Sequence, residues 1–328
     1  MLHRPRRLRT SPAMRALAQE THLQISNFIA PLFAVEGEGI KSEISSMPGY
    51  YRYSLDLLKE EVLELASLGV QSLLLFVKVE DDLKDNDGEE ALNPDGLMQN
   101  AIRMIKETVP NLVLMTDVAL DPYSCYGHDG IVEGGEIIND ETVGFLADMA
   151  ISHAQAGADM VAPSDMMDGR IGAIRIALDT AGFENVGIMA YSAKFASCFY
   201  GPFRDALDSA PVDMKNIPSD KRSYQINPAN AKEALREVQL DLEEGADIIM
   251  IKPAMAYLDI IRQSKDISMV PISAYHVSGE YAMIKAAAAK GWLNEEEAMV
   301  ECLTAIKRAG ADLIATYFVK DIVKFLKN

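Results

Sequence analysis

Bases are scarce in this 328-residue chain: 31 lysines and arginines stand against 49 acids, for a formal charge of −18. So acidic a body repels phosphate backbones, which argues against a general nucleic-acid binder. Long apolar runs are missing as well. None approaches the ~18 residues a bilayer-spanning helix needs, so no membrane partner is expected. The three cysteines, Cys125, Cys198 and Cys302, lie far apart and form no CxxC. That excludes a disulfide scaffold and points to a reducing compartment, the cytoplasm. Neither GxGxxG nor the P-loop pattern occurs, so a glycine-rich nucleotide cradle is not expected.

What the chain does have is alternation. Short apolar runs recur at Asn27–Phe33, Gln71–Val77, Leu112–Leu120, Asp159–Ser164, Val186–Lys194, Ala246–Pro253, Val270–His276 and Ala311–Phe318. Parallel strands covered on both faces have this composition. Helical periodicity fills the gaps, as in Leu57–Leu68, Leu97–Glu107, Glu141–Ala156 and Asn230–Glu244. Gly69, Gly157, Gly245 and Gly310 stand where helix C-caps are wanted. Eight strand–helix units predict an α/β fold, a closed (β/α)₈ TIM barrel over residues 27–328. Residues 1–26 are left as an extended N-terminal arm. Its first fifteen residues hold Arg4, Arg6, Arg7, Arg9 and Arg15 and no acid. An arm docked on an acidic neighbouring subunit fits that charge; a flexible tail is the other reading.

Two insertions exceed the ordinary ~2–6 residues of a βα loop, at about 121–140 and about 195–227. Both follow strand ends that belong to the catalytic face of a barrel, and the second has the size of a lid. Lys194 and Lys252 close the fifth and sixth apolar runs. A poorly solvated ammonium loses its proton more readily, and the neutral amine attacks ketones to form Schiff bases. Structural lysines paired with carboxylates are the alternative. The segment Asp117–Gly130 (DVALDPYSCYGHDG) brings Asp117, Asp121 and Asp129 to the end of the third strand. Aspartates without a cysteine pair suit hard cations, or simply a solvated acidic loop. His128, a lone histidine there, reads as a hydrogen-bond partner rather than a ligand. Arg204, Lys221 and Arg222 in the second insertion suit a carboxylate. Ser278 and Tyr317 offer hydroxyls near the last strands, although Ser278 could equally cap the following helix.

These segments together resemble the porphobilinogen synthase (5-aminolevulinate dehydratase) family. The likeness runs through the Asp-rich loop, Ala162–Arg170 (APSDMMDGR), Tyr191–Ala206, Lys221–Asn230, Met250–Asp259 and Ala274–Met283. The resemblance implies condensation of two 5-aminolevulinate molecules into porphobilinogen with loss of two waters, a step of tetrapyrrole synthesis. It implies assembly into homo-octamers through the arm. Lys252 and Lys194 match the Schiff-base lysines. Arg204 with Lys221, and Ser278 with Tyr317, match the two carboxylate-binding pairs. Phe203, Gln225 and Tyr275 fall at pocket positions, and Asp121, Asp129 and Asp165 are candidates for proton handling. Zinc-dependent members carry cysteines where this chain has Ala119, Asp121 and Asp129, so a catalytic three-cysteine zinc site is excluded. The chain looks like the aspartate-rich, magnesium-stimulated subclass. Glu237 matches the allosteric magnesium position, with Asp241 one helical turn away. A second magnesium or a monovalent cation beside Asp121 and Asp129 stays open.

Overall fold

In the computed structural model, which describes residues 2–327, each of the eight apolar runs coincides with one barrel strand, the first two strands extending just past the end of their runs. Met1 and Asn328, the end residues of the expected arm and barrel, lie outside the described residues. The strands are β1 (Phe28–Val35), β2 (Ser72–Lys78), β3 (Val113–Val118), β4 (Met160–Pro163), β5 (Gly187–Lys194), β6 (Ile248–Lys252), β7 (Ile272–His276) and β8 (Leu313–Thr316). Each runs parallel to the next. β8 returns to β1 through Phe28 opposite Ile314 and Ile29 opposite Ala315, which closes the barrel. β1 is buried along its whole length. One face of such a strand fills the interior and the other meets the helical ring, so its sequence shows no alternation.

The ring comprises α1 (Leu55–Ser67), α2 (Leu97–Thr108), α3 (Asn139–Ala156), α4 (Arg170–Thr180), α5 (Ala231–Glu243), α6 (Leu258–Ile267), α7 (Ser278–Ala289), α8 (Glu295–Ala309) and α9 (Val319–Lys327). α3 illustrates how they end. Gly157 follows it at φ 110°, and its N–H reaches the carbonyls of His153 and Ala154. Glycine takes that left-handed turn without a steric cost, so the next strand can begin three residues on.

Two short hairpins go beyond the sequence expectation. Lys41–Glu43 pairs with Tyr51–Tyr53, which lies alongside β1 with Arg52 opposite Phe33. Val132–Glu133 pairs with Glu136–Ile137. Strands this short show no period-two pattern. The predicted arm holds a 3₁₀ turn, Pro5–Arg9, and a short helix, Pro12–Leu17, neither with a buried residue.

The 195–227 insertion covers the mouth of the barrel. At one end Phe195 N donates to the Lys252 carbonyl at 3.0 Å; at the other, Ile226 N donates to the Lys194 carbonyl at 3.0 Å. The segment is thereby fastened to the tips of β5 and β6. Its middle passes against the Asp-rich loop at Gly127, whose φ is +69°. A side chain there would collide with the Ala210 carbonyl, so glycine permits the close approach.

Candidate active site

Lys194 and Lys252 occupy register partners at the ends of adjacent strands β5 and β6. Parallel strands in register place such side chains on one face, with backbones ~4.8 Å apart. Both lysines are buried. Their surroundings differ, and that difference organises the site.

The Lys252 amine stands in an aromatic box. It lies 4.6 Å from the ring centre of Phe203, 4.7 Å from Tyr275, 5.1 Å from Tyr191 and 5.2 Å from Tyr200. No carboxylate pairs with it among the described residues. Burial first, and then the neighbouring Lys194 charge, lower its pKa to about 7. Lys194 instead donates to Asp129 at 3.1 Å and to the Ser164 carbonyl. The same Asp129 accepts from Lys221 at 2.7 Å, and Lys221 also reaches Asp121 at 3.3 Å. Burial alone would push the Asp129 carboxyl up, but the two ammonium groups outweigh it and hold it below the ordinary range. Lys221 is raised in turn, because Asp121 and Asp129 overcome its own desolvation.

The hydroxyl patch sits across the mouth. Tyr275 and Tyr317 share a hydrogen bond at 2.9 Å. Ser278 is the first residue of α7, yet its Oγ caps nothing there. It accepts from Phe203 N at 2.9 Å and faces the Phe199 carbonyl, tying the lid to the barrel. Arg204 projects from the lid helix Gly201–Leu207 and lines the same space as Asp121, Lys194, Phe203, Lys221, Gln225 and Lys252. That space measures about 20 Å³, room for about one water. The site is closed.

Of the further groups around the site, Tyr224 was not singled out by sequence reasoning, whereas Asp117, His128 and Asp165 were. Asp117, inside β3, is buried with one carboxylate oxygen unpaired; desolvation and the Asp121 charge raise it to about 7. Tyr224 of the lid accepts from Asp129 N at 3.3 Å and lies 3.1 Å from His128 Nδ1. His128 Nε2 is 2.7 Å from the Pro218 carbonyl, so this histidine latches the lid, in agreement with the hydrogen-bonding expectation. Asp165 is buried, with Oδ1 accepting from Met167 N at 2.6 Å and Oδ2 3.6 Å from Arg170. Burial raises it to about 6 against the pull of Arg170.

The remaining two predicted residues lie apart, on α5. Asp241 departs from the metal-ligand expectation: it is buried and takes the Arg170 guanidinium in a fork, at 2.9 and 3.2 Å. Ala234, Val238 and Asp241 form the buried stripe of α5, so helical phase turns Asp241 inward. Glu237 is half-buried and lines a cavity of about 570 Å³ with Asn139, Asp168 and Glu233. Burial and then Asp241 raise its carboxyl. No group of three or more potential metal-ligating side chains occurs among the described residues.

A barrel with a desolvated amine in its mouth, beside cationic and hydroxyl side chains, has the equipment of a Schiff-base-forming lyase. The comparisons narrow the class. The sequence profile of delta-aminolevulinic acid dehydratase matches residues 2–325. The chloroplastic delta-aminolevulinic acid dehydratase of Physcomitrium patens is 57% identical over 98% of this chain and 74% of that protein. The enzyme of Synechococcus elongatus is 50% identical over 99% of this chain and 98% of its own. The crystal structure of the Toxoplasma gondii enzyme with its product porphobilinogen superposes with a TM-score of 0.96 at 50% identity, covering 99% and 92% of the two chains. The chain belongs to the delta-aminolevulinic acid dehydratase (porphobilinogen synthase) family. It condenses two 5-aminolevulinate molecules into porphobilinogen, for tetrapyrrole biosynthesis.

Two outcomes follow from this geometry. Asp241→Ala leaves the buried Arg170 guanidinium, as carboxylate contact, only the 3.6 Å approach of Asp165 and lowers unfolding free energy by about 3 kcal/mol, measurable by urea denaturation. A loss below about 1 kcal/mol would mean the fork is dispensable. Modification of Lys252 by a small amine-directed reagent, followed by peptide mass analysis, rises with pH and is half-maximal near pH 7. The sign follows from the lowered pKa, since only the neutral amine reacts. A rate still climbing above pH 9 would contradict the desolvated amine.

Proposed function

We propose that Lys252 and Lys194 each form an imine with one 5-aminolevulinate. The observation that carries this assignment is their in-register pairing at the mouth of the barrel. Each neutral amine adds to a substrate ketone and expels water. The iminium withdraws electrons, so a neighbouring carbon releases a proton and becomes an enamine. The enamine carbon of one substrate bonds to the iminium carbon of the other, whose lysine then leaves as the amine with loss of a neighbouring proton. The free amine of that second substrate adds to the remaining iminium and expels the other lysine, and loss of a ring proton gives the pyrrole. Holding both substrates on adjacent strands replaces an encounter in solution.

Arg204 and Lys221 receive one substrate carboxylate, Ser278 and Tyr317 the other. In the closed state Lys221 is occupied by Asp121 and Asp129 and Ser278 by the lid, so binding exchanges internal partners for substrate. Asp117 and Asp165, raised toward neutrality, suit proton transfer, whereas Asp129 and Asp121 hold the lysines in place. Phe203, Tyr275 and Gln225 wall the pocket and exclude water from the imines.

Magnesium fits Glu237. It keeps most of its waters and needs only one or two protein carboxylates, and this one faces a roomy polar cavity. There the ion would neutralise the carboxylate charge. Gln225 lines both this cavity and the catalytic one, so the lid segment is the wall between them and a route for allosteric activation. A further magnesium or monovalent cation between Asp121 and Asp129 does not fit the closed site, because the Lys221 ammonium bridges them. The absence of thiols at residues 119, 121 and 129 supports the aspartate-rich subclass.

Residues 1–26 serve subunit assembly in a homo-octamer. Leu2, Leu8 and Leu17 expose 90%, 56% and 80% of their surface on the arm, which favours a protein partner over solvent. No helix is long and apolar enough to cross a membrane among the described residues. Three free cysteines favour a reducing, cytoplasmic setting.

Lys252→Ala should cut porphobilinogen formation by about a thousandfold or more, with thermal stability retained. Ehrlich's reagent detects the pyrrole and separates this synthase from a single-imine aldolase or an inert barrel. Substantial residual turnover would refute the assignment. Glu237→Gln should keep the magnesium-free rate and lose the increase on adding magnesium; an undiminished increase would place the ion elsewhere.

A further inference from the structure

Glu280 is 2% exposed, lies on the first turn of α7 and has no cationic partner among the described residues. Its Oε1 accepts from Met255 N at 2.7 Å and its Oε2 from Val277 N at 2.9 Å. The Ala254 and Ala256 N–H groups also act on it. Burial pushes the carboxyl up to about 7 while these four donors pull it down.

The donors come from two catalytic segments. Met255 opens the 3₁₀ turn Met255–Tyr257, three residues beyond Lys252. Pro253 intervenes and offers no N–H, so the turn cannot be tied back at that point. Val277, the N-cap of α7, lies between Tyr275 and Ser278 together with His276, and Glu280 stands at the third helical position after it, where a carboxylate reaches back to the N-cap. One carboxylate therefore satisfies the free N–H groups of the loop after β6 and of the α7 start together. Tyr257, at the end of that turn, stacks on Phe195 of the lid at 3.9 Å between ring centres. Gly279, next to Glu280, lets the Phe199 backbone approach so closely that a side chain would clash.

We propose that Glu280 is a positioning residue for Lys252. It fixes the loop that follows the lysine against the end of β7, and so holds the amine under the Tyr275 ring and toward the space it shares with Lys194 and Phe203. The carboxylate is an acceptor of backbone N–H groups and touches no substrate. This inference rests on the assignment of Lys252 as an imine-forming lysine.

Glu280→Gln preserves the shape but puts a donor against one of the N–H groups. Wild-type and variant enzyme are mixed with 5-aminolevulinate, quenched with borohydride at increasing times, and the adducts on Lys252 and Lys194 are counted by peptide mass analysis. The expected result is a Lys252 trapping rate lower by about tenfold, the scale of one lost buried acceptor, with Lys194 trapping within about twofold. Glu280→Asp, which keeps an anionic acceptor, should recover part of the Lys252 rate. Unchanged Lys252 trapping in Glu280→Gln, or equal loss at both lysines with a lowered melting point, would overturn the proposal. Absence of a Lys252 adduct in the wild type would instead overturn the imine assignment on which it rests.

Discussion

The site depends on one buried carboxylate shared unequally. Asp129 takes ammonium groups from Lys194 and Lys221, which leaves Lys252, next door on the adjacent strand, with aromatic rings alone. Desolvation without a counter-charge favours the neutral amine of Lys252. Two chemically identical side chains, brought side by side by strand register, thus acquire different environments. The barrel supplies the register, the Asp-rich loop supplies the carboxylate, and the lid brings Lys221 and Phe203 to complete both surroundings.

A lid that completes the site also fills it. With about 20 Å³ left, neither substrate enters until the segment from 195 to 227 moves. The closed state is held by bonds that substrates can replace: Lys221 to two aspartates, and Ser278 Oγ to the Phe199 carbonyl. Substrate carboxylates would compete for these same donors, so binding and lid reorganisation are linked. The His128–Tyr224 latch and the backbone pins at Phe195 and Ile226 involve none of these substrate-binding donors and can stay formed.

The barrel was legible because buried parallel strands are written as local apolar runs. All eight strands lie within or at the edges of the expected segments, and Lys194 and Lys252 stand where a charged residue ends such a run. Pairings between distant segments left no local mark. Nothing near residue 221 announces two aspartates a hundred residues earlier. Asp241 shows a different failure. The spacing from Glu237 was read as a shared face, but Ala234 and Val238 already marked the stripe that turns Asp241 toward Arg170. Glu280 had a readable signal, its spacing from Val277, although its contact with Met255 required the fold.

The central claim is that the two lysines differ in reactivity because only one has a carboxylate. Trapping at limiting 5-aminolevulinate near neutral pH, with borohydride and peptide mass analysis of unmodified enzyme, tests it most directly. The unequal environments predict that the first adduct accumulates on Lys252, with Lys194 labelled only as substrate is raised. Equal labelling of both lysines at every concentration, or a first adduct on Lys194, would contradict it.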